Sequence, residues 1–155
     1  MAAFKISTSA FPDGEAIPAR FTCDGENKSP ALTWEGVPEG TKSLTLIVDD
    51  PDAPVGVFTH WVMYNLPPAA TGLPEGIPQV AQPKSSGGTQ GINNFRHTGY
   101  DGPCPPKGPV HRYFFKLYAL DLPPDLPAGQ TVQQITKAMQ GHILAQTQFF
   151  GRYHR

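Results

Sequence analysis

The chain has 155 residues, of which 16 glycines and 18 prolines make up about a fifth, while 39% of residues are hydrophobic and 10% aromatic. So much backbone punctuation excludes a helical bundle, and the apolar share excludes low-complexity disorder. Twelve basic against thirteen acidic residues give a formal charge of −1. That leaves no broad cationic face for nucleic acid, and no apolar run approaches the roughly 20 residues that span a bilayer.

In chain order, Phe4–Ser7 and Ala31–Trp34 read as short strands. Ser43–Asp49 alternates, with Leu44, Leu46 and Val48 on one face and Thr45, Ile47 and Asp49 on the other. Phe58–Asn65 is the next strand, with Phe58, His60, Val62 and Tyr64 expected to share a face. Gln79–Ala81 is a weaker candidate. His111–Leu120 is aromatic and apolar on both sides, which predicts a central strand covered on both faces. Thr131 and Gln134 form a capping-box pattern. Ile135, Ala138, Met139 and Ile143 follow at helical spacing, predicting a helix over 131–146. Gln148–Tyr153 fits a closing strand. Strands punctuated this way suggest an antiparallel β-sandwich or open barrel in one domain spanning 1–155. The N-terminus shows no secretory leader pattern, so the expected compartment is the cytoplasm, or the periplasm if a leader has been removed.

Cys23 and Cys104 lie 81 positions apart and match no zinc-ribbon or redox pattern. Two buried free thiols are expected in a reducing compartment, and a disulfide only where the two Cα atoms come within reach. Two loops are rich in special residues. One is Asp49–Gly56, directly after a strand; the other is 84–109, with five glycines up to position 102 and four prolines from position 103 onward. Loops of that length are commonly functional, and Phe95 and Tyr100 argue against disorder in the second.

His60 and His111 each stand at a strand entrance next to one of these loops. If the two strands are neighbours, both imidazoles meet at one rim of the sheet, with Tyr113 one step deeper and Asp50–Pro54 alongside. Three chemistries suit such a set: a metal site, a general acid–base pair for hydrolysis, and a small-anion site. In the third, carboxylates orient the histidines, and Arg112, on the opposite strand face from His111, is a partner for Asp52. Only the anion site accounts for the crowding of Gly and Pro, which allow close backbone approach and fix the loops before binding. A calcium loop opening at Asp50 fails, because Val55 and Trp61 occupy the positions of its required Gly and closing Glu. Ser85-Ser86 has no nucleophile-elbow setting, and no phosphate-binding Gly motif occurs.

Asp49-Asp-Pro-Asp-Ala-Pro54, Thr59-His-Trp61, and Gly102-Pro-Cys-Pro-Pro-Lys-Gly108 followed by His111-Arg-Tyr113 resemble the phosphatidylethanolamine-binding proteins, in particular their bacterial, Raf-kinase-inhibitor-like branch. Cys23-Asp-Gly25, Ser29-Pro30, Thr33-Trp34, Tyr118-Ala-Leu-Asp121 and Gly141-His-Ile-Leu144 extend the resemblance over nearly the whole chain. It implies a mostly β fold, an antiparallel β-sandwich with a large central sheet and one or two short helices. It also implies a pocket for phosphate or a phosphorylated lipid head group. By position, Asp50, His60, His111 and Tyr113 match the pocket residues; Gly102, Pro105 and Pro106 match its lining loop; Asp52 and Pro54 match the adjacent loop. The resemblance further implies a binding or regulatory protein, in some members acting on a kinase or protease, and a homodimer. It implies no metal and no cofactor. The C-terminal helix and pocket Tyr of eukaryotic members have no counterpart in Gly151-Arg-Tyr-His-Arg155, so their kinase-binding surfaces are not carried over. Hydrolysis of a small phosphoester or carboxyl substrate is the enzymatic alternative.

Overall fold

The computed structural model describes residues 2–84 and 86–155. Its strands are β1 (Lys5–Ser7), β2 (Leu32–Glu35), β3 (Ser43–Asp50), β4 (Phe58–Leu66), β5 (Gly72–Leu73), β6 (Thr89–Gln90), β7 (His111–Leu120) and β8 (Ile143–Tyr153). One helix, α1 (Val132–Met139), and a 3-10 turn at Ala19–Phe21 complete the elements. The strands form two antiparallel sheets, β1-β2-β5 and β6-β4-β3-β7-β8. Ile6, Leu32, Trp34 and Leu73 of the small sheet pack on Leu44, Leu46, Val48, Trp61, Met63, Phe115 and Leu117 of the large one. The outer face of the large sheet buries Ile47, Val62, Tyr64 and Leu120 against Ile135 and Met139 of α1. This is the expected β-sandwich with a large sheet and a short helix.

The alternation read for β3 holds: Leu44, Leu46 and Val48 enter the inter-sheet core and Ile47 enters the outer one. Flanked by β4 and β7, β3 is buried along its whole length. β7 differs from expectation. It is covered on the His111–Ala119 face, while Arg112 is exposed and Phe114, Lys116 and Tyr118 are half-buried. The strands covered on both sides are β3 and β4, and the length of β7 is matched instead by ten paired positions on β8.

β4 departs from simple alternation. Leu44 pairs with Leu66 but Leu46 with Met63, and Val48 pairs with Trp61 but Asp49 with Thr59. Each step spends one more residue on β4 than on β3, so β4 carries two bulges. Asn65, with φ 56°, lies in one, and His60 is the extra residue of the other. A bulge resets which side the following residues face. His60 therefore faces the same side as Trp61, while Val62 and Tyr64 turn to the outer core, and the four-residue face expected over Phe58–Tyr64 is broken.

The helix is shorter than its periodicity suggests. Thr131 accepts a hydrogen bond from the Gln134 amide, and the Gln134 side chain accepts one from the Thr131 amide, closing the capping box. Gly141 sits at φ 79°, outside helical backbone, and Ile143 opens β8 instead of continuing α1. Gln79–Ala81 forms no strand, whereas Thr89–Gln90, inside the long loop, pairs with β4. The cysteines are also not as expected. Cys23 and Cys104 are exposed and joined in a disulfide, their Cα atoms 5.4 Å apart. The loops after Thr22 and Gly102 run side by side, which sequence separation does not disclose.

Candidate functional site

β4 and β7 are not neighbours; β3 runs between them. Their histidines nonetheless line one cavity of about 200 Å³ at the end of the large sheet. Asp50 closes β3, His111 opens β7, and the bulge turns His60 toward both. Tyr113 packs edge-on against His60, with ring centroids 5.3 Å apart, and lies nearly parallel to the His111 ring at 6.4 Å. Ala53, Pro54 and Val55 form one wall, Cys104, Pro105 and Pro106 another, and Phe58 and Phe95 a third. His60 is 3% exposed and His111 4%, so both sit at the base of the cavity.

The two imidazoles are held differently. Nδ1 of His111 lies 2.6 Å from Oδ2 of Asp50 and donates to it. The other carboxylate oxygen accepts the Asp52 amide at 2.8 Å, which fixes the turn after β3. Nδ1 of His60 meets the main-chain carbonyl of Asp101 at 2.7 Å. A carbonyl only accepts, so the proton sits on Nδ1 and neutral His60 offers Nε2 as an acceptor. Burial pushes the His60 pKa below its ordinary value, against the opposing pull of the Asp101 carbonyl and the Asp50 charge. Burial and the nearby Asp50 charge push the Tyr113 phenol up, so it remains a neutral hydroxyl.

Outside the cavity, Arg112 forks onto Asp52, with Nε and Nη2 each 2.9 Å from a carboxylate oxygen. The guanidinium holds the Asp52 carboxyl down at about 2. Asp52 thus faces away from the cavity, and its pairing with Arg112 pins the Pro54 wall to β7. A second groove, lined by His111, Arg112, Arg152 and Pro106 among others, adjoins this rim.

This geometry has a family. The profile of the phosphatidylethanolamine-binding proteins matches residues 7–154. The chain belongs to the phosphatidylethanolamine-binding protein family. It is 52% identical to a UPF0098 protein of Methanothermobacter thermautotrophicus over 150 residues, 97% of this chain and 98% of that one. It is 49% identical to a UPF0098 protein of Aquifex aeolicus, covering 99% of this chain and 90% of that one. Among solved structures it superposes on Escherichia coli YbcL, described as a member of the mammalian family, with a TM-score of 0.91, 33% identity and 99% coverage of both chains. A family homolog from Chlamydia trachomatis gives a TM-score of 0.89 at 39% identity, covering 99% of this chain and 98% of that one.

Of the residues singled out in the sequence, Asp50, His60, His111, Tyr113, Pro54, Pro105 and Pro106 line the cavity of this family member. Gly102 does not. Its amide donates to Oδ1 of Asn27 at 2.8 Å, and a Cβ there would collide with the Phe21 carbonyl. Gly102 thus sets the path of the wall without touching the cavity. Ser85 lies outside the described residues. No group of three or more His, Cys, Asp or Glu is placed to hold a metal among the described residues.

Sequence reasoning missed Phe95 and the residues that place it. Buried Asn93 accepts the amides of Phe95 and His97 and donates to Gly99 and to Asp101, folding 93–101 into a tight loop. Asp101 also takes Asn27 and His97 on its carboxylate, which fixes the carbonyl that orients His60. The Asn93-Asn94 pair was the available signal, since Asn side chains commonly organise such turns.

Proposed function

We propose that the cavity holds one small anion, phosphate or a phosphorylated head group, against His60 and His111. The observation that carries this reading is the tethering of both Nδ1 atoms, one by a carboxylate and one by a carbonyl, at the base of a proline-walled cavity. With each Nδ1 committed, each Nε2 is the ring atom left to meet a guest. The cavity is below the roughly 300–1,000 Å³ usual for drug-sized ligands, which suits a head group rather than a whole lipid. Because His60 is held neutral with Nε2 as acceptor, it favours a guest that still carries an acidic proton, such as a monoprotonated phosphate whose P–OH donates to it.

Calorimetric titration of inorganic phosphate into wild type and His111→Ala at about pH 6 and about pH 8 tests this. Wild type should bind more tightly at the lower pH and the variant weakly at both. Equal affinity in all four titrations would overturn the reading. The family name of the relatives supports a head-group ligand, and a regulatory role on a kinase or protease partner is proposed on family likeness alone. Val55, 86% exposed, and Phe95, 38% exposed, offer that partner an apolar contact at the cavity mouth. A homodimer is likewise proposed, and native mass spectrometry reads it directly. No helix is long and apolar enough to cross a membrane. The Cys23–Cys104 bond supports an oxidising compartment such as the periplasm over the cytoplasm.

A further inference from the structure

The wall formed by Gly102–Pro109 pairs with no strand. It is tied down by the Gly102 amide on Asn27, the Cys23 amide on the Pro103 carbonyl at 3.1 Å, and the Gly108 amide on the Arg155 carbonyl at 3.1 Å. Arg155 also reaches the Pro105 carbonyl at 3.4 Å. The single covalent tie among the described residues is the Cys23–Cys104 disulfide. Cys104 itself lines the cavity, next to Pro105 and Pro106. Both cysteines are exposed, whereas the cores of the sandwich are built without them.

We propose that the Cys23–Cys104 disulfide is a redox-responsive latch, opened by a small dithiol, that sets whether the proline wall closes on the His60–His111 cavity. The proposal rests on the reading of that cavity as an anion site. Exposed disulfides are the ones that exchange readily, while structural ones are covered. The surroundings also choose the leaving sulfur. Nη1 of Arg155 stands 3.6 Å from Sγ of Cys104, and a guanidinium beside a sulfur stabilises its thiolate. Attack by an external thiolate on Sγ of Cys23 breaks the S–S bond, forms a mixed disulfide at Cys23, and releases Cys104 as the thiolate facing Arg155. The second thiol of the reagent then displaces Cys23. The dithiol leaves oxidised to its own disulfide, and its two electrons and two protons end on Cys23 and Cys104.

Once opened, the wall keeps its hydrogen bonds and the packing of buried Gly102, Pro103 and Pro105, while Cys104 and Pro106–Pro109 stand exposed. Pro103, Pro105, Pro106 and Pro109 keep it stiff, so it swings as a strap instead of collapsing into the cavity. The latch thus alters one wall and leaves Asp50, His60 and His111 in place on the sheet.

The test treats folded protein with dithiothreitol, counts alkylated cysteines by mass spectrometry, and follows hydrogen exchange at Gly102, Cys104, Lys107 and Gly108 against β3, β4 and β7. Inorganic phosphate is titrated into the oxidised, reduced and reoxidised forms. Both cysteines should become alkylated with the strands still protected. Exchange in 102–109 should rise about tenfold, and phosphate affinity should fall about tenfold and return on reoxidation. The double variant Cys23→Ser/Cys104→Ser should match the reduced form and be unaffected by the reagent. A bond that opens only when the strands unfold, or that opens without change in 102–109, overturns the latch. Loosening of 102–109 with unchanged phosphate affinity overturns its control of the site. If oxidised wild type binds no phosphate, the anion reading fails, while the exchange data still decide the latch.

Discussion

His60 and Tyr113 touch edge to face although a whole strand separates their backbones. Strands two places apart in a sheet lie about 10 Å from each other, so only large side chains leaning together over the middle strand can meet. The β4 bulge supplies the lean for His60, and Asp50 ends β3 just where the two rings close over it. The site is therefore a property of three strands at once, with Asp50 from β3, Phe58 and His60 from β4, and His111 and Tyr113 from β7.

Replacing Asp50 with Asn should weaken phosphate binding more than it weakens the fold. The amide keeps a carbonyl for the His111 Nδ1–H but removes the charge that opposes His111. A cost of about 1–3 kcal/mol is expected from urea unfolding, with phosphate affinity reduced at least tenfold by calorimetry. An unchanged affinity would mean Asp50 only shapes the turn.

Stability should decline on mild acidification because of His60. The folded protein holds this ring neutral at pH values where the unfolded chain, with an ordinary pKa near 6.5, already binds a proton. The unfolded state then carries more protons, so stability is full above about 6.5 and falls as pH drops toward the lowered folded value. Urea unfolding at about pH 5.5 and about pH 7.5 should show a smaller acid loss in His60→Gln than in wild type. Equal losses would place the acid sensitivity elsewhere.

Gly102→Ala should be costly at a position with ordinary backbone angles. The new methyl would strike the Phe21 carbonyl and press on Asn27, so the wall must shift. A loss of about 1–3 kcal/mol in thermal unfolding is expected, together with weaker phosphate binding. Full stability would show that the loop yields freely.

Thr131→Ala removes half of the capping box. About 1 kcal/mol of stability should go with it, since the Gln134 amide loses its acceptor. Phosphate affinity should not change, because α1 lies on the far face of the sheet. A shift in affinity would reveal coupling through β3 that the packing does not suggest.

How far these features could be read from the residues differs from element to element. The period-two pattern of Leu44, Leu46 and Val48 places β3, and the Asp52–Arg112 pair follows from which side of β7 Arg112 must face. The two bulges of β4 leave no such mark, because His60 and Asn65 are ordinary strand-end residues until register with β3 forces an extra one in. Ile143 fell in helical phase with Ile135 and Met139 by coincidence of spacing, and Gly141 decided against it through its positive φ. β6 is two residues long and owes its pairing to β4, so no local preference announces it. The Cys23–Cys104 bond depends on two loops meeting through the folded sandwich, which is tertiary information only.

That bond also makes a covalent ring of the chain from 23 to 104, with β2 through β6 inside it and β1, the 3-10 turn, β7, α1 and β8 outside. A protease that nicks the exposed segment around Gln79–Lys84 would therefore free no fragment from the oxidised protein. The cut would pass unseen on a non-reducing gel and appear as two bands under reduction, so digestion patterns report the state of the bond and the exposure of that segment together.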